Sequence, residues 1–180
     1  MDPRFVKIHY SVLKSLKGKL CEKLKIEPNH KPNKVLLIER IPPQEYFQKE
    51  AVHKGAGSTR RSIKNHQELK IAIRSALKPE FHFQNIQLEE MNFSEQIQCF
   101  DSAIMVIGQH GAGLSNIIWM KQSSTVVEIG FESKDHFRIL SKVMRHTYIS
   151  VNQNEAHVQL DVEIFLKNLK GNKLTNRYFK

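Results

Sequence analysis

A run of five apolar residues that leads into a glycine-rich turn is the feature that most constrains how this chain can fold. The run covers residues 103–107, and three glycines follow it before Leu114. Unbroken apolar runs are typical of strands that are covered on both faces of a parallel sheet. From Leu114 onward, apolar residues return at the spacing of a helix. The sequence therefore predicts a buried strand, a sharp turn and the start of a helix.

This predicted turn favours a bound anion. We expect its glycines to adopt backbone conformations that are closed to other residues. A helix that starts directly after the turn would aim unpaired backbone N–H groups and the positive end of its dipole into it. The order of the glycines matches neither the dinucleotide-binding fingerprint nor the Walker loop, and His110 adds a side-chain donor. The alternative interpretation is a plain strand-to-helix turn with incidental glycines.

Strand and helix patterns alternate along the rest of the chain. Strand patterns fall at residues 34–39, 84–88, 103–107, 125–129 and 148–151, and helical patterns fall at residues 4–25, 65–77, 92–100, 114–120, 137–144 and 161–169. Residues 44–62 are predicted to form a loop, and the residues after Gly171 a loose tail. Strands that are separated by helices imply right-handed crossovers and a parallel sheet. The predicted fold class is therefore α/β, a Rossmann-like parallel sheet with flanking helices.

The chain is strongly basic, with a net charge of +10 and a pI of about 9.6. Such a surface attracts nucleic acid, anionic membranes or phosphorylated ligands. Many lysines before residue 35 fall opposite the apolar stripe of the first helix, which favours a solvated helix face. Aromatic residues are not interleaved with them as a base-stacking platform requires, so nucleic acid is not the expected partner. No apolar run is long enough to span a bilayer.

Cysteine and histidine spacing predicts neither a disulfide framework nor a metal site. Cys21 and Cys99 are expected to be buried thiols, with a single bridge between them as the alternative. No Cys or His pair has a third ligand at metal-binding spacing. Asn92-Phe93-Ser94 matches the N-glycosylation pattern, but Asn92 with Glu95 also predicts a helix cap, which we favour.

Five blocks of sequence together resemble the glycosyltransferase 61 family. In chain order they are residues 35–40, residues 61–69, residues 90–97, the turn His110-Gly111-Ala112-Gly113-Leu114 and residues 126–129. The resemblance is close over residues 35–130 and looser over the remainder. The family includes the protein O-GlcNAc and O-mannose-GlcNAc transferases of the secretory pathway and plant xylosyl- and arabinosyltransferases.

This resemblance implies a GT-B enzyme of two Rossmann-like lobes, in which the C-terminal lobe holds the nucleotide sugar. The chain resembles that lobe. We predict an N-terminal helix and linker at residues 1–33, a nucleotide-sugar-binding domain at residues 34–170 and a basic tail at residues 171–180. The residues before the first strand are too few to build a second lobe, so an N-terminal lobe that this chain lacks is an expected partner.

Ligands of such sheets bind beyond the carboxyl ends of the strands. That edge and the resemblance together nominate nine donor-binding residues. They are Arg40, Arg61, Asn65, His110, Gly111, Ala112, Gly113, Leu114 and Glu128.

The first three candidates each have a structural alternative. Arg40 follows a buried strand, where it would bind a diphosphate or pair with an acid such as Glu39. Arg61 corresponds to an arginine of the family, and the alternative is a solvated loop charge. Asn65 is expected to cap a helix first, together with Glu68, and to contact the donor second.

The remaining candidates belong to the glycine turn and the strand after it. His110 would donate to a phosphate oxygen or to the leaving diphosphate, or its ring would satisfy a nearby carbonyl. Gly111 and Gly113 would allow close backbone approach, and Leu114 would anchor the helix in the core. Glu128 would accept hydrogen bonds from ribose hydroxyls or form a salt bridge in the core.

The predicted function is that of a glycosyltransferase, or of its donor-binding lobe. It would transfer a sugar, GlcNAc or a pentose, from a UDP-sugar to a hydroxyl of a glycan or protein acceptor. The resemblance implies no metal and no cofactor beside the UDP-sugar, and the catalytic base is not assigned. Two alternatives stay open: a truncated or degenerate nucleotide-binding or interaction module without catalysis, and a basic nucleic-acid-binding domain. Family members act in the ER and Golgi lumen, but the N-terminus does not have the pattern of a signal peptide, so no compartment is predicted.

Overall fold

Seven strands lie in the described part of the protein. The structure is a computed structural model that describes residues 9–42, 57–130 and 135–180. The strands in these ranges are β1 (Lys34–Ile38), β2 (Ser62–Ile63), β3 (His82–Ile86), β4 (Ala103–Gln109), β5 (Thr125–Gly130), β6 (Thr147–Asn152) and β7 (His157–Val158). Five of them form a parallel sheet in the order β3-β1-β4-β5-β6, and β2 pairs with β7, also in parallel.

Helices connect these strands. The α-helices in the described ranges are α1 (Tyr10–Lys23), α2 (Gly57–Arg60), α3 (His66–Ala76), α4 (Phe93–Asp101), α5 (His136–Val143) and α6 (Val162–Gly171). Three 3-10 helices cover Leu88–Glu90, Ala112–Trp119 and Asn176–Tyr178. Among the helices of the described ranges, none is long and apolar enough to cross a membrane.

The strand order defines a switch point in the main sheet. β3 lies on one side of β1, and β4, β5 and β6 lie on the other side. In sheets of this kind, ligands bind in the crevice where the order reverses, at the carboxyl ends of the strands. Here that crevice lies between β1 and β4. The parallel sheet and its flanking helices confirm the predicted Rossmann-like α/β fold class.

Both faces of the sheet are covered, which explains the unbroken apolar runs of β1 and β4. Successive strand residues point to opposite faces. Val35 and Leu37 pack on one face with apolar side chains of α3 and α6. Leu36 and Val106 pack on the other face with α4 and the 3-10 helix Ala112–Trp119. Each strand therefore needs apolar residues at every position.

Two helix caps were predicted, and one of them is confirmed. At α4, the Glu95 backbone N–H donates to Asn92 Oδ1 at 3.0 Å, and the Asn92 N–H donates to Glu95 Oε2 at 2.7 Å. At α3 the prediction is wrong, because the Asn65 side chain makes no cap. Its Oδ1 accepts from the backbone N–H of Leu160 at 2.9 Å, and its Nδ2 donates to Leu160 O and Glu68 Oε2, both at 2.8 Å.

The predicted boundaries are wrong at several places. The glycine turn leads into a 3-10 helix that begins at Ala112, not into an α-helix. The prediction of a loop over residues 44–62 fails at its described end, where α2 and β2 form; residues 43–56 lie outside the described ranges. On α1, Val12 and Leu16 belong to the predicted apolar stripe of the first helix, yet both are exposed.

The C-terminal residues are packed, contrary to the predicted loose tail. Tyr178 and Phe179 are only 2% and 3% exposed and belong to the core on the α3 and α6 face. The Lys180 N–H donates to Ala76 O at 2.8 Å. Burial of these two large rings stabilises the packed conformation more than the basic residues around them favour exposure to water. The division into residues 1–33, 34–170 and 171–180 stays a prediction.

Cys21 and Cys99 are both free and buried, as predicted. Burial raises the pKa of both thiols above the usual value, although neighbouring lysines act in the opposite direction. A buried thiol of this kind behaves as a small apolar side chain.

Candidate functional site

A cleft of about 370 Å³ opens at the switch point, between the ends of β1 and β4. The 3-10 helices Leu88–Glu90 and Ala112–Trp119 form its walls together with α4. Its described lining consists of Ile38, Arg40, Gly57, Leu88, Glu89, Gln96, Gln109, Gly111, Ala112, Gly113, Leu114 and Asn116.

Two arginines converge on one backbone carbonyl at this edge. Arg40 Nη1 donates to His110 O at 3.2 Å, and Arg61 Nη1 donates to the same oxygen at 3.3 Å. Arg61 is only 7% exposed. Burial lowers the pKa of Arg40, and repulsion from Arg61 adds to this effect. Within the described ranges no carboxylate lies at ion-pair distance from either guanidinium, and Glu89 acts on the charge of Arg40 only from a longer distance.

The predicted alternative partner of Arg40, Glu39, has other contacts. Its Oε2 accepts from Asn85 Nδ2 at 2.5 Å and from Gln87 Nε2 at 3.0 Å. Burial alone would raise the pKa of Glu39, but these hydrogen bonds and nearby positive charges outweigh burial and lower it. The Glu39 carboxylate is therefore held by β3 and the residue after it.

Arg61 reaches the site because of a strand that the sequence did not reveal. Ser62 and Ile63 of β2 pair with His157 and Val158 of β7. This pairing places residue 61 beside the end of β4 and buries its side chain. A two-residue strand has too little periodicity to be recognised from sequence. The segment was therefore predicted as a loop, and the position of Arg61 could not be explained from the sequence.

The glycines of the turn are required for space rather than for unusual backbone angles. Gly111 has φ 162° and ψ 172°, which is extended backbone that any residue adopts. A Cβ at Gly111 would lie 2.8 Å from Arg40 Nη1, and one at Gly113 would lie 2.7 Å from Leu88 Cδ1. The predicted special conformations are therefore wrong here, and the space beside each glycine is taken by a side chain of the chain itself, while close approach of a ligand stays a prediction.

The start of the 3-10 helix supplies backbone donors to the cleft. The first N–H groups of a helix have no partner within it, and in the described ranges no acceptor contacts the N–H of Ala112 or Gly113. Ala112 and Gly113 line the cleft beside Arg40. Leu114 is fully buried and anchors the helix in the core, as its apolar character predicted. Residues that carry backbone donors and the Arg40 side chain thus line one space.

His110 and Glu128 form a buried pair behind the turn. His110 Nδ1 contacts Glu128 Oε1, and the hydroxyl of Tyr148 donates to Glu128 Oε2 at 2.6 Å. Burial raises the pKa of Tyr148 well above its usual range, and the hydrogen bond to Glu128 adds to this shift. The imidazole also packs edge-on against Phe137, with 5.2 Å between ring centroids. Both carboxylate oxygens of Glu128 therefore have protein partners. This agrees with the alternative in which Glu128 forms a salt bridge in the core.

The structure brings most, but not all, of the predicted site residues together. Arg40 and residues 111–114 line the cleft, while Arg61 and His110 support it from behind. Asn65 contacts Leu160 and does not line the cleft. Glu128 reaches the site only through His110.

A second cleft of about 310 Å³ adjoins the first and shares Ile38, Arg40 and Gln109 with it. Its other described lining residues are Glu39, Ser62, Ile63, Lys64, His66 and Gln67. Arg40 therefore stands between two spaces. Sequence reasoning missed Glu89, Gln96, Gln109 and Asn116, although all four lie in or beside the blocks that carried the resemblance.

The fold and the site together define a Rossmann-like α/β protein with a cationic, N–H-lined cleft at its switch point. The family model of glycosyltransferase 61 matches residues 2–127. The chain belongs to the glycosyltransferase 61 family, and its general activity is that of a glycosyltransferase. No curated protein shows significant similarity to the chain. The matched range includes Arg40, Arg61 and the glycine turn, and it ends one residue before Glu128.

Within the described ranges, no group of three His, Cys, Asp or Glu side chains is placed to hold a metal ion.

Proposed function

We propose that this chain binds a UDP-sugar at the switch-point cleft and serves as the donor-binding lobe of a GT-B glycosyltransferase. The sugar, GlcNAc or a pentose, would pass to a hydroxyl of a glycan or protein acceptor. The observation that carries the proposal is the convergence of Arg40 and Arg61 on the carbonyl of His110. Beside it, the 3-10 helix begins with N–H groups that have no acceptor in the described ranges. Arginine and helix N-terminal N–H groups are well suited to phosphate oxygens.

In this reaction the bond between the anomeric carbon and the diphosphate oxygen breaks, and a bond from that carbon to the acceptor oxygen forms. Negative charge builds up on the departing diphosphate. Arg40 and the N–H groups of Ala112 and Gly113 stabilise that charge from fixed positions, without a metal ion. The acceptor hydroxyl loses its proton to a general base. None of the described residues is assigned this role.

His110 organises the site through its backbone as well as through its ring. Its carbonyl holds both guanidinium groups, while its imidazole is fixed by Glu128 and Phe137. The ring therefore supports the position of the carbonyl, and through it the direction of Arg40. Glu128 contributes as the partner of His110 in this proposal.

Calorimetry of the whole chain with UDP tests the proposed function. We expect exothermic binding and a higher melting temperature with UDP than with uridine, since the diphosphate supplies the main contact. Absence of both heat and thermal shift at millimolar UDP would overturn the proposal. Binding of duplex DNA or RNA that weakens steeply with salt, together with indifference to UDP, would favour the nucleic-acid alternative instead.

A further inference from the structure

The lining of the cleft contains a pair of amides that hydrogen bonds hold in place, Gln96 and Asn116. Gln96 Nε2 donates to the carbonyls of Leu88 and Met91, both at 3.1 Å. Asn116 Nδ2 donates to Gln96 Oε1 at 3.0 Å and to Gly113 O at 3.3 Å. Each amide nitrogen has two N–H groups, so these four hydrogen bonds occupy every N–H of the pair.

The orientation of this pair is fixed at its far end. Trp119 Nε1 donates to Asn116 Oδ1 at 3.0 Å. Reversal of the Asn116 amide would bring two donors face to face. A carbonyl oxygen has two lone pairs, so Gln96 Oε1 and Asn116 Oδ1 each retain one position for a further donor. The pair therefore offers acceptors to a ligand and no donors.

Two further acceptors belong to the same cleft. The exposed side chain of Glu89 lines it, and an ionised carboxylate only accepts. Gln109 is 6% exposed and donates from Nε2 to Ala156 O at 2.9 Å. Its Oε1 is buried and has no hydrogen-bond partner in the described part of the chain. Buried polar atoms are nearly always paired. We therefore expect this carbonyl group to accept a hydrogen bond from a donor of a bound ligand.

The cleft thus combines two kinds of polar group. Arg40 and the start of the 3-10 helix supply donors, and Glu89, Gln96 and Asn116 supply acceptors. A ligand that fits must carry both an anionic group and several O–H donors. A sugar phosphate carries both. A uracil base does not, since its two carbonyls need donors as well.

We propose that the sugar of the donor occupies this cleft, with its hydroxyls donating to Glu89, Gln96 and Asn116 while Arg40 holds the diphosphate. This inference rests on the proposed function. The nucleoside then extends to the other side of Arg40, into the second cleft, where Ser62, Lys64 and Gln67 supply donors for a base. Gln96 and Asn116 are accordingly sugar-recognition residues.

Calorimetry with UDP, UDP-GlcNAc and UDP-xylose measures the contribution of the sugar as the ratio of dissociation constants for UDP and UDP-sugar. Gln96→Leu removes one acceptor. It should weaken binding of UDP-sugars about five- to tenfold, the effect of one lost hydrogen bond, and leave UDP binding nearly unchanged. Gln98→Leu is the matched control, because Gln98 lies exposed on the same helix. It should change neither constant.

Glu89→Ala gives a second measurement that does not depend on the bonds of Gln96 to Leu88 and Met91. Its side chain is exposed, so the variant should melt like the parent. We expect it also to lower the ratio, while loss of a negative charge near Arg40 strengthens UDP binding.

The outcomes separate this inference from the proposed function. Binding of UDP with an unchanged ratio in both variants would overturn the sugar position and leave the proposed function standing. An equal loss of UDP and UDP-sugar binding in Gln96→Leu would place the nucleoside in this cleft and also overturn the inference. Failure of the parent chain to bind UDP would overturn both.

Discussion

One backbone carbonyl organises the charged groups at the switch point. His110 O accepts from Arg40 and Arg61, so two cations that repel each other share one acceptor. Burial of Arg40, followed by repulsion from Arg61, disfavours the charged form and lowers the pKa of Arg40. A bound anion would reverse that disadvantage. The two cations therefore lie together at a place where a negatively charged ligand would be attracted by both.

Removal of one of these cations gives a direct prediction. Arg40→Ala should weaken UDP binding about 10- to 150-fold, since hydrogen bonds to charged groups contribute about 1.5–3 kcal/mol. Arg60→Ala removes the same charge from an exposed neighbouring position and should have an effect of less than about threefold through long-range charge alone. Calorimetry of both variants at one salt concentration measures the difference. Equal losses would mean that Arg40 acts only through overall charge.

The glycines allow binding and folding to be separated. Gly111→Ala places a Cβ 2.8 Å from Arg40 Nη1, at the end of a flexible side chain. The guanidinium should move, so UDP binding should fall several-fold while the melting temperature changes little. Gly113→Ala meets Leu88 Cδ1 at 2.7 Å in a buried setting and should cost about 1–3 kcal/mol of stability. A large loss of stability in Gly111→Ala with normal UDP affinity would contradict this division.

At this scale the sequence indicated the residues but not the atoms that act. Arg40, Arg61 and the glycine turn were predicted at one edge because parallel strands end there. That the carbonyl of His110 holds both arginines depends on where β2 and β4 end in space, which no local pattern records. The roles of Gly111 and Gly113 were misjudged because clashes with Arg40 and Leu88 arise from distant parts of the chain.

Elements with strong patterns were predictable, and short or irregular ones were not. β1 and β4 have unbroken apolar runs, and α4 has a capping box, so each was found from local sequence. β2 and β7 are two residues long and exist only through their pairing with each other. The segment Ala112–Trp119 has helical spacing of its apolar residues, but its hydrogen bonds make it a 3-10 helix.

The packing of that 3-10 helix predicts a pH dependence of stability. His146 is buried and its Nε2 lies 3.0 Å from Ile117 O, while its Nδ1 has no partner among the described residues. Burial lowers the pKa of His146 below its usual value of 6.5, and the bond to Ile117 opposes this only in part. The neutral ring therefore contributes stability above pH 6.5 that is lost as the pH falls through the lower pKa of the folded state.

Thermal melts from pH 7.5 to pH 5 measure this effect. His146→Gln can still donate to Ile117 O but does not titrate, so its melting temperature should fall less over this range than that of the parent chain. His30→Gln, at an exposed position, should follow the parent curve. Parallel curves for the parent and His146→Gln would show that His146 does not drive the acid sensitivity.

In the molecule as a whole, positive charge has two different settings. Lys14, Lys19 and Lys23 are exposed on α1, as expected of a solvated helix face. Arg40 and Arg61 are instead withdrawn into the edge of the sheet, where low exposure to water strengthens their effect on a ligand. The net charge of +10 therefore says little about the ligand, whereas the placement of two arginines does.

The final prediction concerns turnover by residues 1–180 alone. Glycosyl transfer needs donor, acceptor and base held together, and proximity supplies much of the rate. In the proposed function the clefts beside Arg40 bind the donor, and in the proposed GT-B arrangement the acceptor is held by another lobe. We therefore expect UDP-sugar binding with slow UDP-sugar hydrolysis at most.

An acceptor-binding lobe, fused or added in trans, should restore transfer, and Arg40→Ala should then reduce it by weakening stabilisation of the departing diphosphate. UDP release measured with and without candidate acceptors decides the matter. Rapid, acceptor-dependent release by this chain alone would mean that a complete active site is built within it.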